Sequence, residues 1–249
     1  MEDKLYSIFD RSEERHWWFL GRRKIVLSLV DSLTRGRKQP VILDIGSGAG
    51  GTLRELENYG LAVGVDISQR AVAYCRRRGC RRPVRVGEQA LPFVAASFDL
   101  IIALDVIEHI ADDRAALREY RRILKPAGRL VLTAPAYQWL WSRHDEVNQH
   151  RRRYTRRSLR LALETAGLVP ERISYFCFFL FLPVALVRLL EKLLRRLFGY
   201  RREDLAFSVP PRPLNTLLTS LFAAERHRLR RRGFPFGSSL LVLASKEPR

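Results

Sequence analysis

One stretch constrains the fold of this chain more than any other: VILDIGSGAGG at residues 41–51. Its apolar first half predicts a short buried strand, and the glycine-rich turn that follows leads into a helical pattern over residues 53–58. Gly46, Gly48 and Gly50 stand at alternate positions, where missing Cβ atoms permit unusual backbone angles and let a ligand lie against bare backbone. The stretch therefore predicts a strand, loop and helix unit that binds a nucleotide-like ligand through its loop amides.

Two cofactors are compatible with these glycines. Gly46, Gly48 and Gly51 satisfy the dinucleotide pattern G-x-G-x-x-G, so the glycines alone do not distinguish an NAD site from an S-adenosylmethionine (SAM) site. Asp44 does distinguish them, because a carboxylate at the end of a buried strand is costly unless it receives hydrogen bonds or faces a cation. SAM supplies such a cation, its ammonium group. We therefore expect Asp44 to face the methionine end of a SAM ligand.

A second acid strengthens this interpretation. Asp66 lies 22 residues after Asp44, at the end of a second short apolar strand over residues 61–65. An acidic residue at this point is placed to accept hydrogen bonds from both ribose hydroxyls of an adenosine, and we assign the neighbouring Ile67 to the same part of the site. The loop after the brief third strand could meet the adenine edge, and its predicted cofactor-binding residues are Glu88, Gln89 and Ala90.

A group of ionisable residues follows the fourth apolar strand, residues 100–104. The strand ends at Leu104, and Asp105, Glu108 and His109 come soon after it. The carboxyl ends of central parallel strands are where doubly wound sheets bind ligands. We therefore assign Leu104 and Asp105 to cofactor binding and expect this ionisable group to be functional.

Strand and helix patterns alternate along the chain. A helical pattern at residues 112–124 ends at a Lys-Pro-Ala-Gly turn, and a fifth strand follows at residues 129–133. Strands separated by helices, without an internal repeat, specify a parallel sheet in an α/β layer fold. Two more apolar runs, residues 169–179 and 239–244, predict strands six and seven. About sixty residues separate them, too many for a hairpin loop, so an insertion is implied.

These motifs together resemble those of the class I SAM-dependent methyltransferases. They are D-x-G-x-G-x-G at residues 44–50, Asp66 after strand two, LPF at residues 91–93, SFDLI at residues 97–101 and LKPAGRL at residues 124–130. The resemblance covers residues 40–175 and implies a doubly wound, seven-stranded, mostly parallel sheet of order 3-2-1-4-5-7-6 with a helical insertion between the last two strands. One departure is Gly87, where many relatives have an acid, so the adenine contact is carried to Glu88.

The expected organisation is a helical lid in residues 1–38, a SAM-binding core in residues 39–178, an amphipathic helical insertion in residues 179–233 and the final strand in residues 234–249. The aromatic sequence HWWF lies in the first of these segments. A helix there can cross the ligand crevice, where Trp18 would cover the cationic sulfonium and Arg22 would meet the ligand carboxylate. The alternative is a helix that simply packs its Trp side chains on the domain.

The segment between strand five and the next helix, residues 136–155, concentrates aromatic, histidine and acidic residues and is unlike a simple connector. Loops after strands four and five overhang the methyl group in this family, so the resemblance makes this segment the acceptor-binding wall. We assign catalysis to His109, His144 and Asp145, since a neutral imidazole with a pKa of about 6.5 is a suitable base for a hydroxyl acceptor. Helix packing is the alternative role for His109.

A divalent cation is the second interpretation of these side chains. Asp105, Glu108 and His109 form a D-x-x-E-H group similar to the E-x-x-E-H that holds a divalent ion in some ubiquinone-pathway O-methyltransferases. His144, Asp145 and a second histidine six residues after His144 are also metal-ligand types. Nothing in the sequence completes the second set, and EH is widespread after strand four in the family. SAM is therefore the cofactor we assign, and a divalent cation is not favoured.

The insertion contains two amphipathic patterns. In residues 184–198 basic residues recur at three- and four-residue steps while leucines hold another face, and a second pattern over residues 214–232 ends in five arginines. The uncharged run at residues 174–187 is too short to span a bilayer. With a formal net charge of +19, the leucine faces favour helices that lie on an anionic membrane surface. A helical cap over the core and a dimer interface are the alternatives.

The sequence thus predicts a SAM-dependent methyltransferase that works as a peripheral protein on the cytoplasmic, inner face of a membrane. Three cysteines without C-x-x-C spacing fit a reducing cytosol, and the N-terminus lacks the order of a signal peptide. We expect O-methylation of a small or lipid-linked acceptor, an isoprenoid or glycan. The HWWF start, the H-D-x-x-x-x-H-R-R-R-Y-T loop and the PFG ending also resemble a type 11/23-like subfamily found near glycan-assembly enzymes.

Two other functions stay open at this point. An RNA methyltransferase would use the arginines on phosphates, although the sequence contains no appended RNA-binding module or base-reading motif. A non-catalytic SAM-fold protein would bind partners through the insertion, although the intact Asp44 and Asp66 argue against it. The oligomeric state is not predicted.

Overall fold

The computed structural model describes residues 10–87, 91–198 and 208–246. Its seven strands are β1 (Val41–Ile45), β2 (Leu61–Asp66), β3 (Pro83–Arg85), β4 (Phe98–Leu104), β5 (Leu124–Pro135), β6 (Val169–Phe176) and β7 (Ser239–Ser245). They form one sheet in the order β3-β2-β1-β4-β5-β7-β6. The first five strands pair in parallel, and β7 runs antiparallel to both of its neighbours. The predicted fold class and strand order are confirmed.

The helices cover both faces of this sheet. They are α1 (Trp17–Thr34), α2 (Gly51–Leu56), α3 (Gln69–Arg77), α4 (Asp113–Ile123), α5 (Arg143–Val147), α6 (Arg156–Thr165), α7 (Phe181–Phe198), α8 (Arg212–Ala224) and α9 (Arg226–Leu229). Alternate residues of each strand point to opposite faces, so Leu43 joins the apolar core under α4 and α6, whereas Ile42 joins the core under α1, α2 and α8. Central strands buried on both faces have to be continuous apolar runs, which is why the sequence revealed them.

Two element boundaries differ from the prediction. The basic helix expected over residues 214–232 is divided into α8 and α9 at Glu225. The fully buried carboxyl of Glu225 accepts hydrogen bonds from the backbone N–H groups of Phe178 and Phe179, at 2.7 and 3.1 Å. β6 ends at Phe176, because Cys177 adopts a left-handed backbone (φ +57°) that turns the chain. Both changes arise from contacts between segments distant in sequence.

The insertion between β6 and β7 comprises α7, α8 and α9, where a helical insertion was predicted. α8 packs against α1, with the ring of Phe222 stacked on Trp18 at a centroid distance of 5.0 Å. The Asn215 side chain fixes this arrangement, since it accepts from the backbone N–H of Trp17 and donates to the backbone carbonyl of Arg15. Within the described residues no helix is both long and apolar enough to cross a membrane.

Candidate functional site

The glycine loop after β1 has the backbone that its sequence predicted. Gly46, Gly48 and Gly50 all have positive φ, at +68°, +55° and +88°. A Cβ atom on Gly46 would lie 2.5 Å from Cγ2 of Val106, so this position requires glycine for space as well as for conformation. The chain can thus pass close to Val106 and leave bare backbone at the carboxyl end of β1.

Asp66 tethers this loop to the neighbouring strand. Its carboxylate accepts hydrogen bonds from the backbone N–H of Gly48, at 3.0 Å, and of Ser68, at 2.9 Å. Burial raises the pKa of Asp66, and the two amide hydrogen bonds oppose that rise. The side chain therefore lies at the meeting point of the glycine loop and the start of α3, the place predicted for the ribose contact.

A cavity of about 1460 Å³ follows the carboxyl ends of the parallel strands. Ten of the predicted site residues line it: Trp18, Arg22, Gly46, Gly48, Asp66, Ile67, Leu104, Asp105, His109 and His144. Asp44, Gly50 and Asp145 are buried beside the cavity without lining it. The predicted adenine contacts Glu88, Gln89 and Ala90 lie outside the described residues. The fold thus brings ten of the sixteen predicted site residues together around one cavity, and their roles stay predictions.

Asp44 lies buried under the glycine loop with an unsatisfied oxygen. Its Oδ2 atom has no hydrogen-bond partner among the described residues. Burial raises the pKa of Asp44 well above its ordinary value, and the nearby Glu13 carboxylate raises it further. Oδ2 of Asp44 is thus a buried acceptor without a partner at the end of the strand. The ammonium of SAM is a positively charged donor, so Asp44 fits the methionine end of the cofactor.

Glu13 is a site residue that the sequence analysis missed. Its carboxylate accepts from the backbone N–H of Gly51 at 3.1 Å, and Arg78 donates to it at 2.7 Å. A Cβ atom added to Gly48 would lie 3.3 Å from Glu13 Oε1, so the N-terminal segment covers the glycine loop directly. Nothing local marks this acid among the several charged residues around it, because its role depends on packing against a loop about forty residues away.

Arg22 and Asp105, both predicted to contact the cofactor, form an ion pair in the structure. Asp105 also accepts a hydrogen bond from the Thr133 hydroxyl at 2.9 Å, and its backbone has positive φ at +55°. Such a backbone is costly for a residue other than glycine and is retained only where surrounding contacts hold it. Arg22 therefore reaches the cavity already neutralised by Asp105, and its contact with a cofactor carboxylate stays a prediction.

Trp18 combines the two roles that the sequence left open. Its indole stacks on Phe222 and lies at 5.9 Å from the ring of Phe176, which is the packing alternative. It also lines the cavity together with Trp17, as the lid interpretation requires. The aromatic cluster therefore joins α1 to α8 over one end of the site.

Two of the predicted catalytic residues are imidazoles in the cavity wall. Burial lowers the pKa of His109 to about 4, with a contribution from the neighbouring His150. Burial also lowers the pKa of His144 to about 3, and the Arg188 guanidinium adds to this shift. Both rings are therefore neutral at pH 7 and keep one nitrogen lone pair. His150 lies between them, with ring centroids 4.8 Å from His109 and 6.0 Å from His144.

Asp145, the third predicted catalytic residue, organises the acceptor loop, residues 136–155. Its carboxylate accepts from Ser142 N at 2.8 Å, from Nδ1 of His150 at 2.8 Å and from two nitrogens of Arg153 at 2.8 and 2.9 Å. Although burial alone would raise the pKa of Asp145, these donors hold it well below its usual range. A carboxylate this fully bonded is suited to positioning its neighbours, and a direct catalytic role for it stays a prediction.

α7 uses its basic side chains on the same loop. Arg188 donates to the carbonyl of Leu140 at 2.9 Å, and Lys192 donates to the carbonyl of Trp139 at 2.6 Å. Arg195 pairs with Glu146 at 3.0 Å. Three of the cations that the sequence analysis placed at a membrane surface therefore hold the acceptor loop instead, because its exposed carbonyls and acid lie under this face of α7.

The leucine face of α7 is largely exposed. The half-exposed or more exposed leucines on it are Leu182, Leu186, Leu189, Leu190, Leu193, Leu194 and Leu197. α8 adds three more exposed leucines, which are Leu214, Leu217 and Leu221. We call these ten side chains the leucine surface. Groups of exposed leucines of this size mark an interaction site more often than a single exposed leucine does.

Comparison with known proteins gives matches over part of the chain that builds this site. Residues 43–132 match the family described as the methyltransferase domain. The chain is 30% identical over 135 residues to demethylmenaquinone methyltransferase of Tropheryma whipplei, which covers 52% of either protein. It is 32% identical over 143 residues to nocamycin O-methyltransferase of Saccharothrix syringae, which covers 53% of this chain and 49% of that protein. The chain thus spans about half the length of these curated relatives.

A solved structure resembles the whole fold. It is a methyltransferase of Haloferax volcanii in complex with the Trm112 methyltransferase activator, with a TM-score of 0.61 and 19% sequence identity. The match covers 99% of this chain and 96% of that one. At this identity the likeness extends to the fold alone.

Proposed function

We propose that this chain binds SAM and transfers the methyl group to an oxygen atom of a small or lipid-linked acceptor. The match of residues 43–132 to the methyltransferase domain family and the strand order of the sheet support this proposal. The observation that carries the proposal is the unsatisfied carboxylate of Asp44 beside Glu13, at the carboxyl end of the first strand. A carboxylate oxygen without a partner at this position would receive the ammonium group of SAM. An NAD ligand would instead place its anionic pyrophosphate against this loop, where the buried acids would repel it.

The other cofactor contacts follow from the cavity. Asp66 would accept the ribose hydroxyls, and Ile67 with the buried Val86 would provide an apolar surface for the adenine. Gly46 and Gly48 would leave room for the methionine part against bare backbone. Arg22 lies in the same wall. It would either leave Asp105 and bind the cofactor carboxylate, or bind both carboxylates together.

When bound, SAM supplies an electrophilic methyl group on a sulfonium. Transfer to an acceptor hydroxyl forms a carbon–oxygen bond, breaks the carbon–sulfur bond and releases S-adenosylhomocysteine and a proton. The protein's part is to align the acceptor, exclude water and remove that proton. We assign the proton to His109, which follows β4, or to His144, which belongs to the acceptor loop. Both imidazoles line the cavity and are neutral at pH 7. Asp145 would hold that loop in shape through Ser142 and Arg153.

The leucine surface supports a lipid-linked acceptor and a peripheral position on the inner face of a membrane. α7 contacts the acceptor loop through Arg188 and Lys192, and its leucines project from the helix into solvent. The flank of α7 that includes Val187 also lines the cavity. If the leucine surface lay in a bilayer, the cavity would open close to the lipid and an isoprenoid or lipid-linked glycan would reach the methyl group.

The test is methyl transfer from labelled SAM to total lipid, glycan and RNA fractions. We expect label in the lipid fraction and a strong loss with Asp66→Ala. Asp31→Ala, which removes a half-buried acid of α1 that does not line the cavity, should transfer label normally. Label in the RNA fraction would instead support an RNA methyltransferase. No label in any fraction, with SAM bound, would support a non-catalytic SAM-fold protein.

A further inference from the structure

Three metal-ligand side chains from two separate loops meet in the cavity wall. Glu108 and His109 follow β4, and His150 comes from the acceptor loop. One potential ligand atom of each lies within 4.8 Å of the other two. All three residues line the cavity that holds the proposed cofactor site. The sequence showed these residues only as members of two incomplete groups, and the fold joins them into one.

Glu108 is the strongest indication that a ligand binds at this cluster of side chains. Its side chain is fully buried, and neither carboxylate oxygen has a hydrogen-bond partner among the described residues. The nearest cationic candidate is Nε2 of His150, 4.0 Å from Oε1 of Glu108, beyond hydrogen-bonding distance. A buried carboxylate without partners is costly, and native proteins usually satisfy such a group with a donor or a cation.

His150 is held in the form and direction that a metal ligand needs. Its Nδ1 atom lies 2.8 Å from Oδ1 of Asp145, and a carboxylate can only accept in that bond. In the neutral imidazole Nδ1 therefore carries the hydrogen, which leaves the Nε2 lone pair on the side of Glu108. Asp145 is itself fixed by Arg153. A carboxylate that orients a histidine through its other nitrogen is the usual outer partner of a metal-binding histidine.

Asp105 is not part of this group. The D-x-x-E-H sequence suggested Asp105, Glu108 and His109 as a set, but the Asp105 carboxylate is engaged by Arg22 and by the Thr133 hydroxyl. The candidate ligands are therefore two histidines and one glutamate. This combination suits a divalent ion of intermediate softness such as Zn²⁺, and it suits Mg²⁺ poorly because Mg²⁺ prefers oxygen ligands.

We propose that Glu108, His109 and His150 bind one Zn²⁺-class divalent cation in the wall of the cavity, with open coordination positions toward the acceptor. Ligands on a tetrahedral ion are roughly 3.5 Å apart, so the three side chains have to approach by about 1 Å. Binding of the ion does not depend on the proposed methyl transfer, but its role does. It would hold the acceptor oxygen and favour loss of its proton, which would pass to His144, since His109 would be a ligand.

The test uses Co²⁺ as a spectroscopic substitute for Zn²⁺ on the full chain, after treatment with EDTA to remove bound ions. We expect one equivalent of Co²⁺ to give visible absorption bands of low coordination number, and Zn²⁺ to displace it. Glu108→Gln and His150→Ala should each weaken Co²⁺ binding by about tenfold or more. His227→Ala, which removes an exposed imidazole far from the cavity wall on α9, should bind Co²⁺ like the wild type.

Three results would overturn the proposal. One is the absence of visible bands, and another is Co²⁺ affinity that Glu108→Gln and His150→Ala leave unchanged. The third is an intense near-ultraviolet thiolate band, which would place the ion on cysteines instead. SAM calorimetry on the EDTA-treated chain separates this proposal from the proposed function. SAM binding without Co²⁺ binding removes only the metal site, and Co²⁺ binding without SAM binding removes only the cofactor assignment.

Discussion

At the scale of single residues, the hydrogen bonding of the buried acids distinguishes the parts of this molecule that bind ligands from the parts that stabilise the fold. Asp145 is surrounded by donors, and its hydrogen bonds are saturated. Asp44 and Glu108 are equally buried and have unsatisfied oxygens. The first arrangement stabilises a loop. The second leaves an acceptor for a ligand where the acid lies at or beside the cavity, as Asp44 and Glu108 do. Glu225 also has an oxygen without a partner among the described residues, but it lies away from the cavity.

Glu225 is a buried acid outside that cavity and gives a prediction about stability. Burial raises its pKa to about 7, against the hydrogen bonds from the N–H groups of Phe179 and Phe178. The folded state then binds more protons than the unfolded state between about pH 4.5 and pH 7. The free energy of unfolding should therefore fall as the pH rises through this range and level off above it.

Glu225→Gln tests that prediction, because glutamine still accepts both hydrogen bonds but has no charge. We expect the variant to exceed the wild type by about 1 to 3 kcal/mol in free energy of unfolding at pH 8, and the difference to shrink toward pH 4.5. Urea unfolding of both proteins at pH 4.5, 6 and 8 measures it. A constant difference across the three pH values would show that the carboxyl does not titrate in this range.

At the scale of elements, the glycine loop was predictable and the orientation of α7 was not. The loop follows a buried strand, and its backbone angles require glycine at Gly46 and Gly48, so sequence alone indicates its geometry. α7 has a basic face and a leucine face, and either could have met the protein. The basic face contacts the protein, because its side chains donate hydrogen bonds to the backbone carbonyls of Leu140 and Trp139.

The glycine loop gives a prediction with a matched control. Gly46→Ala and Gly79→Ala both place a side chain at positive φ, but only Gly46 has a close neighbour, Val106 Cγ2, for the new methyl group. Both variants should lose about 1 kcal/mol of stability from backbone strain. Gly46→Ala should in addition lose most SAM affinity, since Val106 and the loop have to move apart.

Thermal unfolding and calorimetry with SAM measure the two effects in the same samples. Equal SAM affinity in Gly46→Ala and Gly79→Ala would mean that the loop tolerates displacement and that the close approach to Val106 has no part in cofactor binding. The comparison is useful because a Cβ on Gly79 would have no heavy atom of another residue within 4 Å.

At the scale of the whole molecule, sequence patterns predicted the architecture but not the contacts that complete the site. Continuous apolar strands and their turns were readable, because burial on both faces of a parallel sheet leaves a clear pattern. The strand order followed from the resemblance to the class I SAM-dependent methyltransferases. Glu13 was not recognised as a site residue, and His150 was recognised only as a member of an incomplete group of ligand types. Each acquires its role from a partner in another segment, Gly51 for Glu13 and Glu108 for His150, and such pairings carry no local sequence signal.

The leucine surface predicts how the whole molecule behaves with lipid. Leu190 and Leu193 are 46% and 51% exposed, so replacing both with Asp should not unfold the protein. A leucine buried in a bilayer contributes about 1.5 to 3 kcal/mol if fully removed from water. The Leu190→Asp, Leu193→Asp double variant should therefore lose binding to anionic liposomes by about tenfold or more in flotation, at moderate salt.

Leu161→Asp is the matched control for flotation. Leu161 is 55% exposed on α6 and does not belong to the leucine surface, so this variant should float with the liposomes as the wild type does. Wild-type protein that stays at the bottom of the gradient would contradict a membrane role. Unfolding of the double variant would show instead that the leucines pack within the protein.

The most direct test of the account is calorimetric titration of the purified chain with SAM and, separately, with NAD. We predict one equivalent of SAM bound, no NAD binding, and an affinity for SAM about 10 to 100 times lower in Asp66→Ala, as expected for loss of hydrogen bonds to a charged group. Asp31→Ala, which removes an acid on α1 that pairs with Arg35, should bind SAM like the wild type. NAD binding without any response to SAM would contradict the account.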